Sequence, residues 1–300
     1  MTVEVVGSDG TRLRVHEWGE RDRPTILLVH GFPDDHTVWS PVAAQLAKSF
    51  HVVAPDVRGS GGSDRPRRLT AYRLDQLACD IGAVLDAVAP DKRVHVVGHD
   101  WGAVQAWHAA CTPSAEHRFA SLTSISGGCL DHVPGWVLTQ FRTGREGRRA
   151  VATMWKSPFY MGFLQTPVVA DLACRLGLVD AVIEWAARFE TGTRPTDMPR
   201  HRARDNRHGL KIYTANLLPR LLRPRPAPTR VPVQTLVPRG DAFVTPATAT
   251  VGAPWASSHT VREIDGGHWV AAFDPAPVAD AIADFVRRSD TSAAPERSIR

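Results

Sequence analysis

The sequence is poor in cysteine, lysine and tyrosine, and it has no long apolar run. Its four cysteines, Cys79, Cys111, Cys129 and Cys174, are scattered over 300 residues. None sits in a C-x-x-C pair, so spacing indicates neither zinc nor redox chemistry, and no metal or organic cofactor is expected. A reduced, cytoplasmic setting is expected. No run of about 18 apolar residues suggests a membrane span. Met1 to Asp9 alternates polar and apolar residues and lacks a basic region followed by an apolar block, so a secretory leader is not expected. Lys48, Lys92, Lys156 and Lys211 are the only lysines among 36 basic residues. The net charge of +5 is uneven: residues 131–230 hold 17 Lys and Arg against 8 Asp and Glu. That surplus would suit an acidic lipid surface or an anionic ligand. An arginine-rich solvated surface explains it more simply. No basic, aromatic-interleaved surface points to nucleic acid.

What is present is an alternation of strand and helix. Val3–Val6 and Leu13–Trp18 alternate around a Ser8-Asp9-Gly10 turn and read as a hairpin. Thr25 to Val29 is a continuous apolar strand, and His51 to Ala54 is the next. Helices are expected over His36–Lys48 and Arg73–Val88, the latter with Leu74, Leu77, Ile81, Val84, Leu85 and Val88 on one side. Strands return at Arg93–Val97 and Phe119–Ser126. Such alternation implies an α/β fold, a mostly parallel sheet with helices on both faces. From Asp131 to Arg230 the pattern turns helical. Strands resume at Val233–Val237 and Thr260–Ile264, and Phe273–Arg288 closes as a helix. The expected organisation is a core over 1–130 and 231–288, an inserted helical cap over 131–230, and a disordered tail over 289–300.

Chemistry centres on Gly98-His99-Asp100-Trp101-Gly102, between a strand and a helix. Glycines two places either side of one residue at such a turn describe a nucleophile elbow. The residue at its tip is a carboxylate. Asp100 would form an alkyl ester by displacement at carbon, whereas a serine hydroxyl makes an acyl-enzyme. Asp241 follows one later strand and His268 follows the next, completing the order nucleophile, acid, histidine. Alone, an Asp on a loop is usually a turn residue. Order, strand placement and glycine context together favour a triad in which Asp241 orients His268 and His268 activates water. Backbone N–H groups of Phe32 and Trp101 are the expected oxyanion hole. Pro33 cannot donate and allows a cis bond after Phe32. The glycine-rich Arg58–Asp64 stretch lacks the phosphate-loop pattern and is expected to be structural.

These segments, with His30-Gly31-Phe32-Pro33, Asp56–Asp64, Gly240-Asp241 and Gly267-His268-Trp269, resemble an epoxide hydrolase of the α/β-hydrolase superfamily. The resemblance spans nearly the whole chain and most of it is shared with haloalkane dehalogenases. It implies an α/β-hydrolase fold with an α-helical cap. It also implies two cap tyrosines that bind and protonate the epoxide oxygen: Tyr160 in Phe159–Pro167, and Tyr213 in Lys211–Leu217. Ile212 departs from the tryptophan that relatives often carry there. His30, Pro33, Trp155, Phe163 and Trp269 are expected around the substrate. Pro167-Val168-Val169-Ala170 also resembles the hydrolase half of actinobacterial proteins fused to a short-chain dehydrogenase, which suggests a lipid epoxide and a role in detoxification or lipid metabolism. The expected partners are a small-molecule or lipid epoxide and water, with the protein a monomer or homodimer. Two alternatives stay open. A haloalkane dehalogenase would use the same triad, with indole donors such as Trp101 and Trp155, although Phe32 stands where many carry Asn. A non-catalytic ligand-binding domain would have no need of His268.

Overall fold

A computed structural model describes residues 1–154, 166–191 and 203–293. Eight strands form one sheet: β1 (Thr2–Val6), β2 (Arg12–Trp18), β3 (Thr25–Val29), β4 (His51–Pro55), β5 (Val94–His99), β6 (Phe119–Ile125), β7 (Val233–Pro238) and β8 (His259–Ile264). Their order is β1-β2-β4-β3-β5-β6-β7-β8. Pairings β1/β2 and β2/β4 are antiparallel; the other five are parallel.

Residue chemistry explains this division. Every residue of β3, β4, β5 and β7 is buried, as expected of parallel strands covered on both faces. β2 alternates exposed and covered side chains, so one face of it meets solvent. Successive residues of β3 serve opposite layers. Ile26 and Leu28 join one apolar cluster with Trp39 and the C-terminal helix; Leu27 and Val29 join the other with Ile81, Leu85 and Trp107.

After β3 the chain moves to β4 on one side; after β4 it crosses back to β5 on the other. The crevice between the carboxyl ends of β3 and β5 is therefore the topological switch point, where open α/β sheets gather their ligands. Phe32 follows β3 and Asp100 follows β5.

Between β6 and β7 the described residues are helical, over Val133–Arg142, Arg145–Met154, Pro167–Arg175, Leu178–Thr191 and Ala203–Leu222. The last of these is tied to the core. Asn216 accepts from Leu74 N at 2.8 Å and donates to Tyr72 O at 2.7 Å. The Arg65–Asp205 pair, 2.7 Å apart and largely covered, adds a second tie.

Three expectations are corrected. The helix read over His36–Lys48 is a 3-10 turn, His36–Trp39, followed by a helix, Ser40–Leu46, with Pro41 in its first turn, where a missing N–H costs nothing. The closing helix splits into Val270–Phe273 and Pro275–Ala293. The tail is therefore not disordered from 289: residues 289–293 are helical, anchored by Asp290, which meets buried His95 at 3.1 Å. Residues 294–300 lie outside the described residues. The Arg58–Asp64 loop is structural, as expected: the Arg58 side chain is fully buried between Asp80 and Asp9.

Candidate active site

The elbow has the geometry its glycines imply. Asp100 sits at φ 53°, ψ −122°, a left-handed conformation costly for a side-chain-bearing residue and one held only by its surroundings. A Cβ on Gly98 would come within 2.5 Å of the Gly102 carbonyl oxygen, and one on Gly102 would strike the Val29 carbonyl. The carboxylate thus projects beyond the sheet at the start of the Trp101–Ala110 helix.

The two oxygens of Asp100 have different neighbours. Oδ1 accepts the Phe32 N–H at 2.9 Å. The Trp101 N–H also bonds the carboxylate. Oδ2 faces His268 Nε2 at 3.9 Å. Burial pushes the Asp100 carboxyl above its ordinary range; the His268 charge and the two backbone donors oppose that without cancelling it. The Phe32–Pro33 bond is cis.

Asp241 and His268 complete the constellation. His268 Nδ1 lies 3.2 Å from both Asp241 oxygens. Asp241 also accepts from the Phe243 and Val244 N–H groups at 2.8 and 2.9 Å. Burial raises the Asp241 carboxyl, but the His268 charge and these donors hold it at about 2. Burial lowers the His268 imidazole; Asp241 first, then Asp100 and Glu190, raise it to about 9.

Tyr213 is buried and its ring meets Phe32 and Trp101 edge-on, with centroids 5.5 and 4.8 Å apart. Asn216, one turn further along the same helix, fixes that placement through the Leu74 and Tyr72 backbone. Asp100, His268 and Tyr213 all border a cavity of about 630 Å³, with Pro33, Trp269 and the helical residue Trp185 among its walls. The lining is overwhelmingly apolar.

His30, expected at the substrate, does not border this cavity. Its buried ring is a structural bridge: Nδ1 bonds the Gly31 carbonyl at 2.8 Å and Nε2 accepts the Val57 N–H at 2.9 Å. Tyr160, Trp155 and Phe163 lie outside the described residues.

Three further residues shape the site. Glu190, on the Leu178–Thr191 helix, accepts the His268 N–H at 2.7 Å and the Ala242 N–H at 3.2 Å, so one inserted carboxylate holds both the acid loop and the histidine loop. It lies in the last turn of its helix and in no motif, and the sequence carries no signal for it. His99, fully buried, bonds the His268 carbonyl at 2.8 Å, and burial lowers its imidazole to about 3, so it stays neutral. Asp34 is buried beside the triad, and burial raises its carboxyl to about 8. These last two did carry a signal, since each adjoins a segment already singled out.

With this geometry in view, comparison with known proteins defines the class. A family model described as the α/β-hydrolase fold matches residues 24–275. The chain belongs to that family. It is 36% identical over 292 residues to "Probable oxidoreductase EphD" of Mycobacterium tuberculosis, covering 94% of this chain and 49% of that protein. It is 37% identical over 171 residues to "Epoxide hydrolase A" of the same organism, covering 57% of this chain and 49% of the relative. The chain thus spans about half the length of these curated relatives. Among solved structures, that of Epoxide Hydrolase A from Mycobacterium thermoresistibile is similar with a TM-score of 0.69 and 25% identity, over 96% of this chain and 98% of the other.

Proposed function

We propose that this chain hydrolyses an epoxide to a vicinal diol through a covalent ester on Asp100. One observation carries the reading. The elbow residue is a carboxylate with one oxygen held by the Phe32 N–H and the other turned toward an Asp-supported histidine. Similarity to epoxide hydrolases supports the same reaction.

In the first step, Asp100 Oδ2 attacks one ring carbon, the opposite C–O bond breaks, and a tyrosine hydroxyl delivers its proton to the alkoxide. Tyr213 borders the cavity with Asp100 and takes this role; Tyr160 is proposed as its partner by resemblance. In the second step, His268 removes a proton from water, and the hydroxide adds to the ester carbonyl. The oxygen already seated against the Phe32 N–H takes the developing charge, with the Trp101 N–H as the proposed second donor. Collapse expels the diol oxygen, which takes the proton of the added hydroxide and leaves the carboxylate; the proton on His268 returns to the tyrosinate, and net one water is consumed.

The charge pattern orders these events. Before reaction His268 lies between two carboxylates that favour its protonated form. Esterification removes the charge of Asp100, and with it part of what holds that proton. The base becomes competent once there is an ester to hydrolyse.

A cap over residues 131–230 and an apolar cavity of about 630 Å³ support a lipid or other largely apolar epoxide, with only the ring polar. Four unpaired cysteines fit a cytoplasmic setting. Among the described residues no helix is long and apolar enough to cross a membrane. The test is a panel of short, aromatic and fatty-acid epoxides alongside haloalkanes, assayed with wild type, Asp100→Asn and Tyr213→Phe. Epoxide turnover should vanish in the first variant and fall roughly 10²-fold or more in the second, the scale of losing an oxyanion donor. Halide release with undiminished rate in Tyr213→Phe would replace this reading with dehalogenation.

A further inference from the structure

The far end of the nucleophile helix carries a second cluster of chemistry. Cys111 caps the Trp101–Ala110 helix, Cys129 lies in the loop after β6, and His132 ends the short 3-10 turn that follows. Their two Sγ atoms and one imidazole nitrogen all lie within 4.8 Å of one another. Sequence spacing conceals this, because a strand and a loop separate the two cysteines.

His132 is fully buried and oriented as a ligand. Its Nε2 bonds the Ala227 carbonyl at 3.0 Å, which makes Nε2 the protonated nitrogen. Nδ1 is then the lone-pair nitrogen, and the side chain that His132 engages is the Cys129 thiol. The ring is also clamped in place, stacked on Trp255 at 4.4 Å with an interplanar angle of 6°. A histidine that donates one N–H to a backbone carbonyl and lies within 4.8 Å of two thiols has the support usual for a metal-bound imidazole.

We propose that Cys111, Cys129 and His132 form a binding site for Zn²⁺, separate from the active site. Two thiolates and one imidazole make a donor set that suits this ion. Zn–S bonds of about 2.3 Å and Zn–N bonds of about 2.0 Å require donors roughly 3.5–3.8 Å apart, a small contraction of the trio. Cys111 is partly exposed, which gives an entry path and room for water as the fourth ligand. Binding exchanges two thiol protons for one Zn²⁺ and leaves no redox change to balance. The ion would pin the end of the nucleophile helix to the loop after β6, about 15 Å from Asp100 at 1.5 Å per helical residue. Its effect is therefore on stability and not on the chemical step.

The test uses the full chain, reduced and stripped of metal. Titration with Co²⁺ is expected to give a thiolate-to-metal charge-transfer band that saturates at one equivalent and is displaced by Zn²⁺. Zn²⁺ is expected to release about two protons per ion near neutral pH and to raise Tm. Cys111→Ser, at the half-exposed position, should fold and lose both the band and the Tm shift; Cys129→Ser should do the same if it folds. Cobalt uptake without the thiolate band, which is what the separate His16, His36 and Asp56 group would give, overturns the proposal. So does failure of the reduced wild type to bind either ion, or a Cys111–Cys129 disulfide whose reduced form takes up no metal.

Discussion

Asp100 Oδ1 rests against the Phe32 N–H while Oδ2 looks across 3.9 Å at His268, so its two oxygens have different surroundings. In the proposed mechanism the first becomes the carbonyl oxygen of the ester and the second is the nucleophile. Burial raises the carboxyl, and the attacking form is the ionised one. Activity should therefore fall as pH drops through a value above the ordinary carboxylate range. The acid limb of kcat/KM measures this; a limb at or below the usual Asp value would contradict it. His268 gives a second prediction. Asp100 is among the charges that raise its imidazole to about 9. In Asp100→Asn, NMR titration of the His268 ring should give a lower pKa than in wild type. The three residues could be singled out in the sequence because each sits just beyond a strand with glycine adjacent or two places away. His30 was misread for the same reason: its motif is visible, but which way its ring points depends on Val57 and Ser60, which meet it only in the fold.

Two elements of the insertion do unequal work. The Ala203–Leu222 helix carries Tyr213 and is fastened to the core by Asn216. Asn216→Leu leaves the Leu74 N–H and Tyr72 carbonyl without their side-chain partner. It should cost about 1–3 kcal/mol of stability, read by denaturant unfolding. The Leu178–Thr191 helix contributes Glu190, which accepts backbone N–H groups from two loops of the core. Glu190→Gln should keep the fold, lower kcat roughly tenfold to a hundredfold through misplacement of His268, and lower the His268 pKa, since Glu190 helps raise it. A variant that altered only KM would assign Glu190 to substrate contact. The resemblance singled out Tyr213, but the ties made by Asn216 and Glu190 were not readable beforehand. Amphipathic spacing reveals that a helix exists, whereas a carboxylate accepting distant backbone N–H groups leaves no periodic trace.

For the molecule as a whole, the sheet order fixes where chemistry can happen. The β3/β5 crevice, the loops after β7 and β8, and the helical insertion converge on one apolar cavity. The fold class was legible because central strands are continuous apolar runs while β1 and β2 alternate. The last helix was read too short: Ser289 and Thr291 look like tail residues, and only the pairing of Asp290 with His95 shows them to be helical. Leu28 on β3 is fully buried in the layer that supports the elbow strand. Leu28→Ala should cost about 2–5 kcal/mol. The central claim is that the bond to oxygen forms on Asp100 before water enters. A single turnover of a reactive epoxide in ¹⁸O-water, followed by mass spectrometry of the peptide containing Asp100, tests it. The account predicts label in the Asp100 carboxylate and a first-turnover diol whose new oxygen is unlabelled. Label in that diol with none in Asp100 would mean direct attack by water, and the covalent mechanism would be wrong.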